Sequence, residues 1–186
     1  MPAAPVATGR LFPLTKSSPR CGWEDSMPDM LVKLYDLGEP APLPVSLTER
    51  AIDIRRALAP ELHLVVGWVR AHFGEHWASE CHVSFTSRPL GCFIATQNEQ
   101  LIGFACYEAT CRNYFGPTGV ATECRGWGVG RALLLACLQA MRAEGYAYAI
   151  IGGAGPVDFY ARACGAVPIA GSQPGIYRGM LRGPAV

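Results

Sequence analysis

The chain has 186 residues, half of them hydrophobic and 17% charged, with 16 basic against 15 acidic side chains. That length holds one domain with a core of ordinary size, and the composition excludes a disordered chain. The near-zero charge and lack of a basic run argue against a nucleic-acid partner, and no apolar stretch is long and uninterrupted enough to span a bilayer.

Residues 1–26 are rich in Pro, Ala, Ser and Thr and lack the continuous hydrophobic region of a secretory signal. With the three residues that follow, they read as a flexible extension (1–29) ahead of a domain over 30–186. A first strand is predicted over 31–35, broken by the Gly and Pro cluster of 38–44. Helical spacing of apolar residues over 51–73 predicts two helices divided at Pro60. Residues 92–96 and 101–110 read as a hairpin turned at 97–100, followed by an extended run over 114–121.

The most secure element is a helix through Val129, Leu133, Ala136 and Ala140, stopped by Gly145. A short apolar strand over 146–151 follows, so strand, turn, helix and strand form a βαβ unit with parallel strands. After the glycine-rich break at 152–155, Pro156 opens a last short helix ending at Gly165, and 166–181 hold one or two final strands. The eight cysteines show no Cys-x-x-Cys pair, and several, such as Cys106 and Cys137, sit in apolar runs. Buried reduced thiols in a cytoplasmic protein account for them better than disulfides.

Between the strand and helix of the βαβ unit stands Arg125-Gly126-Trp127-Gly128-Val129-Gly130-Arg131. Alternate glycines let a backbone approach closely, and the following helix presents unpaired amides at the positive end of its dipole. With two flanking arginines, that arrangement suits a phosphate group. A dinucleotide fingerprint fails, because its third glycine falls on Arg131 in one frame and on Leu133 in the other. A P-loop fails too, since Gly130-Arg131-Ala132 lacks the hydroxyl that holds magnesium. The plain alternative is a tight strand-to-helix connection that binds nothing.

The segment resembles the Arg/Gln-x-x-Gly-x-Gly signature of the GNAT acetyltransferase superfamily. Over residues 30–181 the resemblance implies an α/β (α+β) fold with a mixed central sheet, flanked by helices and splayed where acetyl-CoA enters. It implies that the backbone of Arg125, Gly126, Trp127, Gly128, Val129 and Gly130 holds the pyrophosphate, reinforced by Arg125 and Arg131. It assigns Thr118, Gly119 and Val120 to the pantetheine arm and acetyl group, with Gly119 permitting a bulge; the competing reading is a strand glycine in a crowded spot.

Tyr160, in Phe159-Tyr160-Ala161-Arg162-Ala163-Cys164-Gly165, is similar to the family tyrosine that protonates the departing thiolate. A phenol with a pKa of about 10 stays protonated at neutral pH and can serve as that acid. A core tyrosine with its hydroxyl at the surface is the alternative. Two departures stand out: Ala166 occupies a place usually aromatic, and the stretch 152–155 lacks the asparagine of many relatives.

Glu108 is the candidate general base facing the acceptor, whereas Glu123 reads as a solvated loop residue. Trp68 and Trp77 are candidates for an acceptor wall, with at least one of them expected in the core. His72 and His76, four apart and near Cys81 and His82, suggest a metal. Gly74 interrupts that helix and no zinc signature is present, so no metal is expected. Nothing links Cys124 to a histidine as a nucleophile would require.

The expected activity is direct, metal-free transfer from acetyl-CoA to the primary amine of a small molecule, amino acid or peptide. The chain would act as a monomer or homodimer, without nucleic-acid or membrane partners. The alternative is a non-catalytic module that binds CoA or acyl-CoA as a sensor.

Overall fold

The computed structural model describes residues 27–181. Its first elements are β1 (Met30–Lys33), a short α1 (Val45–Thr48), β2 (Ile52–Arg56), α2 (Leu62–Phe73) and α3 (Glu75–Ser84). The hairpin β3 (Cys92–Gln97) and β4 (Gln100–Tyr107) follows, then β5 (Tyr114–Val120) and α4 (Val129–Ala143). β6 (Tyr148–Ile151), α5 (Val157–Cys164) and the two-residue β7 (Val167–Pro168) complete the order. The expected N-terminal extension lies, up to residue 26, outside the described residues. No helix among the described residues is long and apolar enough to cross a membrane.

Seven strands form one mixed sheet in the order β2-β3-β4-β5-β6-β1-β7. Only β5 and β6 pair in parallel; every other neighbouring pair is antiparallel. The βαβ unit and the hairpin therefore stand as the sequence predicts. The hairpin turns at Asn98 and Glu99, both with left-handed φ (49° and 62°), the conformation that matches strand twist in two-residue turns.

Alternation along the strands feeds two cores. Cys92 and Ile94 of β3, with Phe104 and Cys106 of β4, face α2 and α3 through Val65, Val69, Ala78 and Cys81. Ala95, Ala105 and Tyr107 face the other way, onto Leu133, Leu134, Leu138 and Met141 of α4. The spacing of those four residues places them on one side of a 3.6-residue helix. Beyond the helix, Tyr146 N–H reaches back to Met141 O (3.1 Å) and Gly145, with φ 97°, ends the turn.

Two expectations are corrected. Residues 52–56 form a strand, because Ile52 and Ile54 also satisfy a two-residue period and pair with β3. Pro60 lies in a 3-10 turn (Ala59–Glu61) that leads into α2, and the break between the two helices is Gly74, with φ 89°. The first strand, β1, lies inside the sheet between β6 and β7. Of the one or two final strands expected over 166–181, one forms, β7, and a 3-10 turn (Gly175–Tyr177) follows it among the described residues.

The edge of the extension is also redrawn. Ala154 N–H donates to Pro28 O and Ile169 N–H to Asp29 O, both at 2.8 Å, so these residues belong to the folded unit.

Leu133 is fully buried between α4 and the sheet. Leu133→Ala is expected to cost about 2–5 kcal/mol, read as a lower urea midpoint at unchanged slope.

Candidate active site

β5 pairs with β6 at only two positions, Tyr114 with Ile150 and Phe115 with Ile151. The β4–β5 register also slips here, so that Gly116 and Pro117 together oppose Cys106. This two-against-one bulge turns β5 away, and proline carries no N–H with which to continue a ladder. A cavity of about 750 Å³ lies at the parting. Phe115 to Thr118, Ile151 to Gly153 and Tyr160 line one part; Trp77 and Glu80 of α3, with Tyr177 and Met180, line the other.

The glycine turn follows β5 at the start of α4 and is not among the residues that line the cavity. Gly126 and Gly128 have φ of 81° and 93°, and a Cβ on either would meet nothing within 4 Å. Backbone conformation thus demands these glycines, while the space outside them stays open. No side chain caps α4, and the first helical bond runs from Ala132 N–H to Gly128 O (3.0 Å). The amides of Val129, Gly130 and Arg131 accordingly have no partner within the helix. Val129 itself is 1% exposed, so any ligand contact there comes from its backbone.

Both arginines of the turn are exposed. Arg125 Nε donates to Val120 O (3.3 Å), and the Arg50 guanidinium stacks on Trp127 at 4.4 Å. Upstream, the Thr118 hydroxyl is spent on Phe104 O (3.1 Å). Gly119 pairs regularly with Phe104, and the expected bulge lies instead at Gly116 and Pro117. Gly119 is required by packing, because a Cβ there would overlap the Phe73 ring. Phe73 in turn stacks on Trp77 (5.1 Å between centroids). Trp77 is therefore a cavity wall with a packed back, while Trp68 stays with Phe104 and His72, away from the cavity.

Tyr160 is 7% exposed and lies on the cavity wall, edge-on to Phe115 (6.4 Å). Its hydroxyl makes no hydrogen bond to any described residue, and burial, aided by Cys164, pushes its pKa up to about 12. Glu108 does not reach the cavity. It follows the end of β4 with φ 59°, accepts from Asn113 N–H, and raises the Tyr146 phenol, which burial raises first. Its carboxylate closes the β4–β5 loop.

The cavity's carboxylate is Glu80, which accepts a hydrogen bond from the Thr110 hydroxyl. Sequence patterns missed it because one acid on an amphipathic helix carries no motif; only the packing of α3 beside the parting singles it out. The histidines do not converge: Gly74 puts His72 on α2 and His76 on α3, and His72 Nδ1 is 2.8 Å from Trp68 O. Cys124 is buried, with its thiol pKa raised by that burial. All seven cysteines among the described residues are free.

The profile of the Acetyltransferase (GNAT) family matches residues 52–166, more than half of the chain. The chain belongs to this family. The members of this family are acetyltransferases that take the acetyl group from acetyl-CoA.

Solved structures agree on the fold. A GCN5-related glucosamine N-acetyltransferase region of a fungal multi-domain GH3 beta-N-acetylglucosaminidase superposes with a TM-score of 0.63 at 17% identity, over 77% of this chain and 20% of that one. A GCN5-related N-acetyltransferase from Sphaerobacter thermophilus gives 0.60 at 20% identity, over 77% and 48%. This chain thus spans less than half the length of either protein. Among curated proteins, none matches it in sequence.

In this family member the cavity is tied together from the N-terminal side. Asp29, 6% exposed, accepts from Gly153 N–H (2.9 Å) and from the Tyr114 hydroxyl (3.4 Å). Its own N–H donates to the Ser172 hydroxyl (2.8 Å). One residue thus joins the β6–α5 turn, β5 and the C-terminal segment around the opening. Removing its carboxylate leaves two half-buried donors without this acceptor, so Asp29→Ala should lower unfolding free energy by about 1 kcal/mol in urea titrations. Asp29→Asn, which keeps one acceptor, should lose less.

Proposed function

We propose that this chain is an acetyl-CoA-dependent N-acetyltransferase that moves the acetyl group directly to a primary amine of a small molecule, amino acid or peptide. The observation that carries the reading is Tyr160: a phenol 7% exposed, without a protein partner among the described residues, on the wall of the cavity where β5 leaves β6.

The residues fit the donor. Acetyl-CoA brings a phosphate-rich end and an activated thioester. The uncapped amides of Val129, Gly130 and Arg131, with the open backbone of Gly126 and Gly128, suit the phosphates, and the two exposed arginines add positive charge. The freed backbone of β5 from Gly116 to Val120 suits the pantetheine arm and the thioester oxygen. Tyr160 is the acid that protonates the departing thiolate. Glu80, in place of Glu108, is the carboxylate that receives the acceptor amine and its proton. Trp77, Ile176 and Met180 give the acceptor side apolar walls, which favours an amine with an apolar body.

Tyr160→Phe should lower kcat by about 10²–10⁴-fold while leaving the acetyl-CoA-induced rise in thermal midpoint intact. Unchanged turnover would remove Tyr160 as the acid, and acetyl-CoA binding without turnover by the wild type over a broad amine panel would favour a CoA-binding sensor module. The pH dependence has a definite sign. Because the folded-state pKa is raised to about 12, the neutral phenol's contribution to stability is complete below pH 10 and is lost as pH rises through about 12. Any alkaline limb of kcat between pH 6 and about 10 must belong to another group and persist in Tyr160→Phe.

The phosphate site has its own test. Gly128→Val adds backbone strain of roughly 1–3 kcal/mol and places a side chain in the open turn. The variant should fold with a reduced thermal midpoint and show no acetyl-CoA-induced rise; an unchanged rise would remove the turn from the donor site.

A further inference from the structure

Beneath the cavity wall, α3 turns Cys81 toward the sheet, and β3 and β4 set Cys92 and Cys106 opposite each other in register. The three Sγ atoms lie within 4.8 Å of one another, and all three residues are fully buried. Each thiol is within hydrogen-bonding reach of the other two. Packing alone explains a small hydrophobe at each position, but it does not require three sulfurs from three elements to meet at one point.

We propose that Cys81, Cys92 and Cys106 form a binding site for a soft d10 metal ion of the Zn2+ or Cu+ class, which fastens α3 to the sheet. Thiolate bonds of about 2.3 Å place ligated sulfurs about 4 Å apart, so these sulfurs need to close by less than about 1 Å. The set contains sulfur alone, with neither histidine nor carboxylate, and such a set selects soft ions over Mg2+ or Ca2+. Ser84 stands beside it: its hydroxyl donates to Cys81 O (2.6 Å) and lies 3.4 Å from Cys106 Sγ, an oxygen available as a fourth ligand.

Binding is a proton exchange without redox change: a divalent ion takes three thiols to a tris-thiolate of charge −1 and releases three protons. Full burial couples metal entry to opening of α3 from the sheet, so loading belongs to folding. None of this depends on the acetyl-transfer reading.

The test uses the full chain as Cys21→Ser/Cys111→Ser/Cys164→Ser, which keeps the five buried cysteines. The protein is refolded anaerobically with Cd2+ as the probe. Expected are one Cd2+ per chain, an ultraviolet thiolate-to-metal charge-transfer band and a higher thermal midpoint. Adding Cys81→Ala or Cys106→Ala should abolish the band and weaken binding by more than about 10–100-fold, whereas Cys137→Ala should not. Cadmium-edge X-ray absorption on the unsubstituted chain reads the same site without core substitutions: three sulfur neighbours support it. No stoichiometric band, a band that survives both alanine variants, or a shell with fewer than three sulfurs would overturn the proposal.

Discussion

Everything distinctive here depends on β5 being unable to keep its place beside β6. Two parallel pairs form, and then Gly116 and Pro117 crowd opposite a single residue of β4. Past that point the backbone of β5 is free of its parallel neighbour, and the sheet becomes a fork rather than a plate. A fork exposes main-chain groups that a continuous sheet would have consumed, and it makes room between strands that packing would otherwise fill. The helices matter to the site because of where they sit around the fork: α5 presents its tyrosine, and α3 its Trp77 and Glu80.

The fork is stable because its surroundings are stiff. The tip of the Phe73 ring abuts Gly119 and the ring stacks on Trp77, so the far side of the cavity wall is a packed aromatic layer against Phe104. On the near side, Asp29 gathers three segments with charge-assisted and neutral hydrogen bonds. Dry packing and directed polar contacts thus hold opposite sides of one opening, which keeps the groups around it in fixed relation.

Much of this was legible in the sequence, for reasons tied to particular residues. The α4 stripe, its glycine turn and the hairpin rest on local periodicity and turn chemistry, which the chain displays directly. Residues 52–56 were misread because Ile52 and Ile54 fit either period when viewed without their partner β3. The bulge was expected at Gly119, yet a strand glycine signals close approach as readily as a kink, and the neighbour that decides, Phe73, is 46 positions away. Glu108 looked suitable from its strand position, but a left-handed backbone at the end of β4 turned its carboxylate into the loop. Glu80 and the three-cysteine cluster leave no sequence trace, because each is assembled by packing between elements.

The position of β1 carries one more consequence. The family match begins at residue 52, yet the strand that flanks β6 on its far side comes from residues 30–33 and pairs with all four residues of β6. A segment excised along the boundaries of the sequence match would lose an interior strand, not a tail. It would leave β6 with an open edge, and β7, at Val167–Pro168, would be cut away as well. Open edges recruit other chains, so such a fragment is a candidate for aggregation rather than a smaller enzyme. In this protein the unit of inheritance and the unit of folding have different limits.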